Sequence, residues 1–399
     1  MNQPPTKRKR IFISACEHSA EQHCANLIRA CHDYLATRQP WPDGSETHTE
    51  PMLEWVGLGG DKMAEAGCQL LANPIQKAAM IYNVLKQLGY YRKLIRQATA
   101  YLAEHAVDLV VVCDSPAFNF HIAKAARRRG IPVLFYVAPQ LWAWAPWRIY
   151  KLRRRCTKLA CILPFEQEWF CSRGVDAAYV CNPLFDELNV SVENNVKTYA
   201  DYQSHAPHIA LMPGSRDAEI KSLWPALLEI AALIRQRRPQ ATFTACAADD
   251  EKQTMMQTVA QGGPAVAYRI GRVYETAQTC DFTLVASGSA TLQVAAAGCP
   301  MVILYQSNKW LWHLVGRRLI RTRYLSLVNI LARRELVPEY MPYFDAVDPI
   351  AEKCCGLLAN TAKLAQTSQS LTELVKPLAA GKARDKTARI VFEMLGLND

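Results

Sequence analysis

Residues 107–116 read VDLVVVCDSP, a nearly continuous apolar run that stops at an aspartate and a proline. Such runs are typical of parallel strands that helices cover on both faces. The pattern recurs along the chain, and amphipathic stretches of helical length separate its copies. This alternation predicts an α/β fold with doubly wound parallel sheets.

The predicted strands fall into two series, separated by the polar and weakly periodic residues 189–205. We therefore predict two Rossmann-like domains facing a cleft, residues 1–188 and 189–345, with residues 346–399 forming helices that pack on them. A cleft of this kind suits an extended ligand. The predicted strands are Arg10–Ala15, Glu54–Leu58, Val107–Cys113, Pro132–Val137, Leu159–Leu163, Ala178–Cys181, Ile209–Met212, Ala241–Ala245, Phe282–Ala286 and Met301–Tyr305.

Composition supports a folded chain of two domains. The 399 residues include 46 Lys+Arg and 36 Asp+Glu, for a net charge of +10, and half of them are hydrophobic, which excludes disorder as the main state. The basic run Lys7–Arg10 is followed by only three apolar residues, so no signal-peptide core is predicted. The 14 cysteines include no C-x-x-C pair, and we expect reduced core residues.

One uncharged segment, Phe282–Asn308, has the length of a membrane span. Its run of small and polar residues at 287–289, with Gly298 and Pro300, interrupts any continuous apolar helix. We predict strand, tight loop, helix, glycine stop and strand instead, and a protein that is not integral to a membrane.

Two loops that follow first-domain strands carry polar side chains. Ligands of doubly wound sheets bind at the carboxyl ends of strands. Glu17 and Ser19 follow the first strand and could belong to a ligand site. The alternative is a helix cap, with Ser19 as the N-cap and Gln22 as its partner in a capping box. Asp114 ends a strongly apolar strand, where partial burial would raise its pKa and suit a general base; the alternative is a turn aspartate that caps the next helix.

Two loops of the second domain repeat one design, in which a strand, a turn of small residues and a helix start follow one another. The first holds Pro213, Gly214, Ser215 and Arg216, and the second spans residues 287–289. Backbone N–H groups at a helix start and an arginine can bind phosphate. Two such loops suggest a diphosphate, although neither a Walker A loop nor G-x-G-x-x-G is present.

Several basic and aromatic stretches each allow more than one functional interpretation. Residues Met80–Arg96 mix apolar, aromatic and basic residues at helical spacing, which suits an interfacial membrane helix or a core helix with a basic face. Trp142, Trp144 and Trp147 suggest an apolar acceptor groove. Two basic clusters suit solvated helix faces or anionic lipid headgroups, and no nucleic-acid-reading motif accompanies them. They are Arg148, Lys151, Arg153, Arg154, Arg155 and Lys158, and Arg317, Arg318, Arg321 and Arg323.

Taken in order, these segments resemble the lipid-A-disaccharide synthase family, glycosyltransferases of the two-domain GT-B fold. The resemblance runs along nearly the whole chain, and its tryptophan and P-G-S-R segments are the most specific. It is carried by Val56–Gly60 with Met63 and Gly67, Asp114–Pro116 with Phe118 and Asn119, Tyr136–Pro139, Leu141–Trp144, Leu163–Glu166, Pro213–Arg216 with Glu219, Ser287–Leu292 and Ser326–Leu331.

The resemblance implies an inverting, metal-independent hexosyltransferase of lipid A biosynthesis, with no cofactor. It would transfer 2,3-diacylglucosamine from its UDP donor to 2,3-diacylglucosamine 1-phosphate, forming the β-1,6 tetraacyl disaccharide 1-phosphate and UDP. The first domain would take the acceptor and the second the UDP-sugar. The protein would be cytoplasmic and peripheral on the inner face of the cytoplasmic membrane. It would have no nucleic-acid partner, and a homo-oligomer is possible.

The resemblance also assigns residues to roles. Asp114 is the expected base, and Arg216 is the expected stabiliser of departing UDP. Substrate binding is expected at Glu17, Ser19, Asn119, Gly214, Ser215, Ser287, Gly288, Ser289, Gln293 and Asn329, and acyl or membrane contact at Met80, Ile81, Val84, Leu85 and Leu88.

The chain departs from the family pattern at several positions. In the first loop Cys16 and Ala20 replace glycines and Glu21 replaces an aspartate, while Gln293 replaces the acidic residue expected at ribose. Ala117 and the pair Cys181-Asn182 are further departures, the latter in place of Gly-His. Two alternatives therefore stay open, namely a GT-B paralogue with another UDP-sugar activity and a non-catalytic nucleotide-sugar or lipid-binding protein. Activity that does not depend on a lipid surface would indicate another UDP-sugar activity. UDP binding without turnover would indicate the binding protein.

Overall fold

The computed structural model describes residues 8–37, 52–75, 84–188, 190, 192, 195–260, 263–307, 309, 312–313, 319–320 and 322–397, with only the backbone at 84–88. The chain forms two compact units. The first is Met1–Glu187 with Ala380–Asp399, and the second is Leu188–Ala379. The last helix therefore belongs to the same unit as the amino-terminal half.

The first unit is built around a seven-stranded sheet. Its strands are β1 (Lys9–Ser14), β2 (Leu53–Leu58), β3 (Cys68–Ala72), β4 (Leu109–Cys113), β5 (Val133–Tyr136), β6 (Lys158–Cys161) and β7 (Ala177–Tyr179). Its helices are α1 (His18–Thr37), α2 (Asp61–Glu65), α3 (Val84–Glu104), α4 (Pro116–Arg128), α5 (Ile149–Arg155), α6 (Glu166–Cys171) and α7 (Pro183–Leu188), and a short 3₁₀ turn lies at Pro146–Arg148. The last residue of α7, Leu188, is the first residue of the second unit.

The strand order in this sheet is β3-β2-β1-β4-β5-β6-β7, and every pairing is parallel. All of the carboxyl ends therefore meet at one edge, where the loops after β1 and β4 are neighbours. Strand β4 is buried along its whole length because helices cover both of its faces. One core includes Ile11 and Val111 with helix α1, and the other includes Phe12 and Val112.

The second unit is built around a six-stranded sheet. Its strands are β8 (His208–Met212), β9 (Thr242–Ala247), β10 (Val266–Ile270), β11 (Phe282–Ala286), β12 (Met301–Leu304) and β13 (Glu339–Tyr340). Its helices are α8 (Asp217–Arg237), α9 (Asp250–Val259), α10 (Val273–Thr279), α11 (Ala290–Ala296), α12 (Leu327–Ala332), α13 (Asp348–Leu358) and α14 (Thr361–Ala379).

The order here is β10-β9-β8-β11-β12-β13, again with parallel pairings throughout. Strands β8 and β11 are neighbours, so the two phosphate-binding loops predicted after them lie side by side. Trp224 of α8 is fully buried in the core against this sheet.

The carboxyl-terminal helices divide between the two units. Helix α15 (Ala383–Met394) packs on α1, where the rings of Tyr34 and Phe392 have centroids 4.6 Å apart. Its Glu393 pairs with Lys158 at 2.9 Å. Helices α13 and α14 belong to the second unit.

The predicted doubly wound α/β class is confirmed, and each predicted strand is observed with both ends within two residues of the prediction. Strands β3, β10 and β13 were not predicted. The first two lie at sheet edges and are largely half-buried or exposed, and the third has two residues, so none contains a continuous apolar run.

Two further predictions are confirmed. All fourteen cysteines are free, and nearly all are buried. The segment from Phe282 forms strand β11, helix α11 and strand β12, as predicted. Among the residues described, no helix combines the length and the apolar character needed to cross a bilayer.

Candidate active site

A strained turn follows strand β4. Asp114 and Ser115 have φ of 51° and 41°, the left-handed region that residues with a Cβ rarely adopt. Each such residue costs on the order of 1 kcal/mol or more, so surrounding contacts must hold the turn. Non-glycine strain of this kind is concentrated at functional sites.

Asn119 holds this turn from beneath. Its side chain is fully buried, and its amide nitrogen donates to the carbonyl oxygens of Cys113 at 2.9 Å and Asp114 at 2.8 Å. Ser14 Oγ donates to Asn119 Oδ1 at 2.8 Å, which ties the ends of β1 and β4 together. The structure thus places Asn119 in the scaffold under Asp114; direct substrate contact stays a prediction.

The surroundings of Asp114 favour its protonated form. Burial raises the pKa of this half-buried carboxyl, and the negative charge of Glu17 raises it further; the Ser115 backbone N–H and His23 act in the opposite direction. A raised carboxyl pKa is the property expected of a general base. The N-cap position of helix α4 is Ser115, whose side chain makes no capping hydrogen bond, so Asp114 is not the N-cap of that helix.

Glu17 and Ser19 lie exposed at the start of helix α1. Ser115 Oγ donates to Glu17 Oε1 at 3.0 Å, so the loop after β1 contacts the loop after β4. Helix α1 begins at His18, which places Ser19 inside the first turn and does not fit the N-cap alternative.

Glu21, which stands where the family has aspartate, is buried, and its Oε1 accepts from the Lys62 backbone N–H at 2.9 Å. Gly60 leaves the room for this carboxylate, because a Cβ there would lie 2.2 Å from Glu21 Oε1. The replacement is thus accommodated inside the first unit, where Glu21 joins the start of α1 to the start of α2.

A cavity of about 800 Å³ opens beside the Asp114 loop, within the size range of small-molecule sites. One wall consists of residues from the loops after β1 and β4. Helix α3, the tryptophan segment with Arg148, and His121 of helix α4 supply the remainder. The sequence had suggested membrane or solvent contact for the arginines among them and had not placed them at a substrate cavity. The lining residues are Cys16, Glu17, Tyr91, Arg92, Ile95, Arg96, Ser115, Pro116, Ala117, Phe118, His121, Trp144 and Arg148.

Glu166 is a buried carboxylate that sequence reasoning quoted only as part of a motif. It accepts hydrogen bonds from Trp142 Nε1 at 2.9 Å and from the backbone N–H groups of Ile162 and Leu163 at 3.1 and 3.0 Å. Burial raises its pKa to about 7. Glu166 therefore fixes the tryptophan segment against the loop after β6.

A second cavity, of about 240 Å³, lies at the carboxyl edge of the sheet in the second unit. The structure brings both predicted loops to it, with Gly214, Ser215 and Arg216 from one and residues 287–289 from the other. Gln293 also lines it. Glu219, Met212, Ala286 and Ala290, which lie in or beside the two loops, also line it. The rest of the wall consists of residues to which the sequence analysis gave no role: Cys246, Ala247, Ala248, Gly271 and Val273.

Gly214 and Arg216 are both organised by Glu219. Gly214 has φ of 104°, and a Cβ there would lie 2.5 Å from Glu219 Oε2. The same carboxylate accepts from the Arg216 guanidinium at 2.8 Å and so holds this largely exposed side chain at the cavity. This arrangement can bind an anion through a cation and a backbone that approaches it closely.

Asn329 does not line this cavity. It is fully buried, donates to the Val337 carbonyl and to Glu339 Oε2, both at 2.9 Å, and accepts from the Leu336 and Val337 backbone N–H groups. These contacts use its whole amide to join α12 to β13. Nucleotide contact by Asn329 stays a prediction.

The predicted acyl-contact residues are only partly described. Met80 and Ile81 lie outside the described residues, and Val84, Leu85 and Leu88 belong to helix α3. In the arginine cluster of the second unit, Arg317, Arg318 and Arg321 also lie outside the described residues. Within the described ranges, no group of three or more His, Cys, Asp or Glu side chains could hold a metal ion.

Comparison with known proteins decides the family. A model of the family "Lipid-A-disaccharide synthetase" matches residues 11–393. The lipid-A-disaccharide synthase of Geobacter sulfurreducens is 32% identical over 391 residues, 97% of each chain, and that of Myxococcus xanthus is 29% identical over 99% of each. This chain belongs to the lipid-A-disaccharide synthase family. The resemblance stated from the sequence is confirmed.

Solved structures outside the lipid-A-disaccharide synthase family share its fold. The S. aureus MnaA structure with UDP has a TM-score of 0.61 at 13% identity and covers 98% of both chains. The UDP-GlcNAc 2-epimerase of Neisseria meningitidis has a TM-score of 0.56 at 12% identity, with 98% of this chain and 100% of that one covered. At this identity the likeness shows the two-domain GT-B fold alone, and it confirms that prediction.

Proposed function

We propose that this chain is an inverting, metal-independent lipid-A-disaccharide synthase. It transfers 2,3-diacylglucosamine from UDP-2,3-diacylglucosamine to 2,3-diacylglucosamine 1-phosphate, and the products are the β-1,6 tetraacyl disaccharide 1-phosphate and UDP. The observation that carries the proposal, beside family membership, is the desolvated Asp114 carboxyl on its strained turn next to Glu17.

In this mechanism the acceptor's 6-hydroxyl attacks the anomeric carbon of the donor. Asp114 takes the hydroxyl proton as the new bond forms, and the bond to the UDP oxygen breaks on the opposite face, which inverts the configuration. Negative charge develops on the departing diphosphate. Arg216, held by Glu219, and the loops at Gly214 and 287–289 stabilise that charge.

The test measures UDP release from UDP-2,3-diacylglucosamine with and without acceptor. Asp114→Asn should lower acceptor-dependent release by about 10²–10⁴-fold, the usual contribution of a general base, and should leave UDP binding intact. Asp176→Asn is the matched control, because Asp176 is exposed and precedes β7 at the opposite edge of the same sheet. Full activity in Asp114→Asn would remove Asp114 from this role.

The same assay separates the alternatives. Turnover of UDP-sugar without any need for acceptor or lipid surface would indicate another UDP-sugar activity. UDP binding without turnover by the folded wild type would indicate a binding protein.

We infer that the protein acts as a peripheral protein on the inner face of the cytoplasmic membrane. Its net charge is +10, and both proposed substrates carry acyl chains. In the first unit Trp147 and Tyr150 are 54% and 65% exposed, and they lie in sequence beside Arg148 and Lys151. Exposed aromatic and basic side chains together are typical of surfaces that bind anionic lipid headgroups.

A further inference from the structure

The cavity beside Asp114 has two chemically different linings. One is apolar and aromatic, with Tyr91, Ile95, Phe118 and Trp144, and the other is basic. Tyr91 and Ile95 are four residues apart on helix α3, as are Arg92 and Arg96, so each pair shares one face of the helix. One helix thereby presents an apolar row and a basic row to the same cavity.

The basic lining consists of Arg92, Arg96 and Arg148. None of the three pairs with a carboxylate in the part of the chain that the structure describes. Arg148 instead lies over the Trp144 ring, with its guanidinium carbon 4.5 Å from the ring centroid. Stacking of this kind orients a guanidinium and leaves its N–H groups available to an anion.

The electrostatic surroundings of this lining are positive. His121, which also lines the cavity, has a lowered pKa because of burial and because Arg155, Lys124 and Lys151 lie near it. Glu17 and Ser115 also line the cavity; Ser115 belongs to the Asp114 turn and donates to Glu17. Asp114 is not itself a lining residue, but it directly precedes Ser115, so the proposed base lies next to the wall of a cavity whose other side chains include three arginines.

We propose that Arg92, Arg96 and Arg148 bind the phosphate monoester of the acceptor lipid and select it over an unphosphorylated acceptor. This inference rests on the proposed function. A phosphate monoester carries close to two negative charges at neutral pH, and arginine binds phosphate through paired N–H groups. The apolar lining suits an acyl chain of the same molecule, and the position beside Asp114 suits its reacting hydroxyl.

The test measures KM and rate of the full-length protein with two acceptors, 2,3-diacylglucosamine 1-phosphate and 2,3-diacylglucosamine. The double variant Arg92→Gln/Arg96→Gln should raise KM for the phosphorylated acceptor about tenfold, as expected for lost charge-assisted hydrogen bonds. Its KM for the UDP donor and its rate with the unphosphorylated acceptor should stay unchanged. Lys93→Gln, on the same helix but outside the cavity lining, is the matched control.

Two further measurements separate the outcomes. Arg92→Lys/Arg96→Lys should restore part of the preference for the phosphorylated acceptor, which a purely structural role would not predict. Equilibrium binding of each acceptor lipid to wild type and double variant tests the site without turnover. Acceptor-dependent activity with an unchanged acceptor KM would overturn this inference alone, and a raised donor KM would assign the arginines to the diphosphate. Phosphate-dependent binding without any turnover would instead overturn the proposed function.

Discussion

At the scale of single residues, the backbone holds Asp114 in a position that an isolated strand end would not adopt. Two successive left-handed residues follow β4, and the buried Asn119 amide satisfies the carbonyl groups that this turn would otherwise leave unpaired. The cost of the strain is therefore offset by contacts outside the turn. In our proposal this arrangement keeps the carboxyl of Asp114 partly desolvated at the edge of the acceptor cavity.

Burial, and after it the charge of Glu17, should raise the pH at which the reaction becomes active. A base must be ionised to act, and the charge of Glu17 raises the pKa of Asp114, so this charge moves the acid limb of the kcat/KM profile upward. Glu17→Gln should shift that limb to lower pH, whatever its effect on the maximum. The profile of UDP release measures the shift, with the exposed Glu168→Gln as control; an unmoved limb would contradict the assignment.

Gly214 should not tolerate even alanine. The added Cβ would meet Glu219 at a φ that alanine rarely adopts, and the displaced carboxylate would release Arg216. We expect the affinity for UDP to fall about tenfold, because the strain of about 1–3 kcal/mol would shift the loop away from its binding conformation. Gly356→Ala, at an exposed position in the last turn of α13 with nothing within 4 Å, should instead be tolerated and should stabilise the protein by at most about 0.5–1 kcal/mol. UDP titration and thermal denaturation of both variants test the pair.

At the scale of elements, Glu166 joins the tryptophan segment to the loop between β6 and α6. Its carboxylate is nearly inaccessible and accepts three hydrogen bonds, one from Trp142 and two from backbone N–H groups. Trp142 in turn packs edge-on against Phe165, with ring centroids 4.9 Å apart. The segment that contributes Trp144 and Arg148 to the cavity therefore depends on one buried acid.

This acid predicts a pH-dependent stability. The pKa of Glu166 is about 7 in the folded protein and 4.5 ordinarily, so the folded state holds its proton more tightly. Stability should then fall as pH rises from about 4.5 to about 7, by at most about 3 kcal/mol. Glu166→Gln removes this titration, so the wild-type free energy of unfolding should fall relative to the variant between pH 5 and 8. Urea denaturation measures the difference, and parallel curves would refute it.

At the scale of the whole molecule, charge and exposed aromatics predict binding to anionic membranes. We expect the protein to sediment with vesicles that contain anionic lipid, and less so as salt is raised, because its +10 charge is screened. Replacement of the exposed Trp147 and Tyr150 by serine should weaken this binding. Val259→Ser, an exposed apolar side chain of the second unit, is the control. Equal, salt-independent binding to uncharged vesicles would contradict the inference.

Much of the fold followed from local pattern. Strand β4, with its run of Leu109–Cys113, could be read directly because a strand buried on both faces must be apolar throughout. Strand β10, with the sequence VAYRI, could not, because an edge strand that is half exposed tolerates polar residues. In the same way, the two loops after β8 and β11 were identified from their small residues, whereas Cys246 and Gly271 in the same cavity carry no local signal.

The sequence by itself determined the doubly wound units, the strand-end loops and the family, since burial periodicity and motif order are properties of the chain. Only the tertiary structure decided how residues far apart in sequence meet. It placed Asn119 beneath Asp114, Glu166 against Trp142, and Arg148 in one cavity with Arg92 and Arg96. The physical reason is that local pattern specifies which faces are buried, while the strand order and helix packing specify which side chains share a cavity.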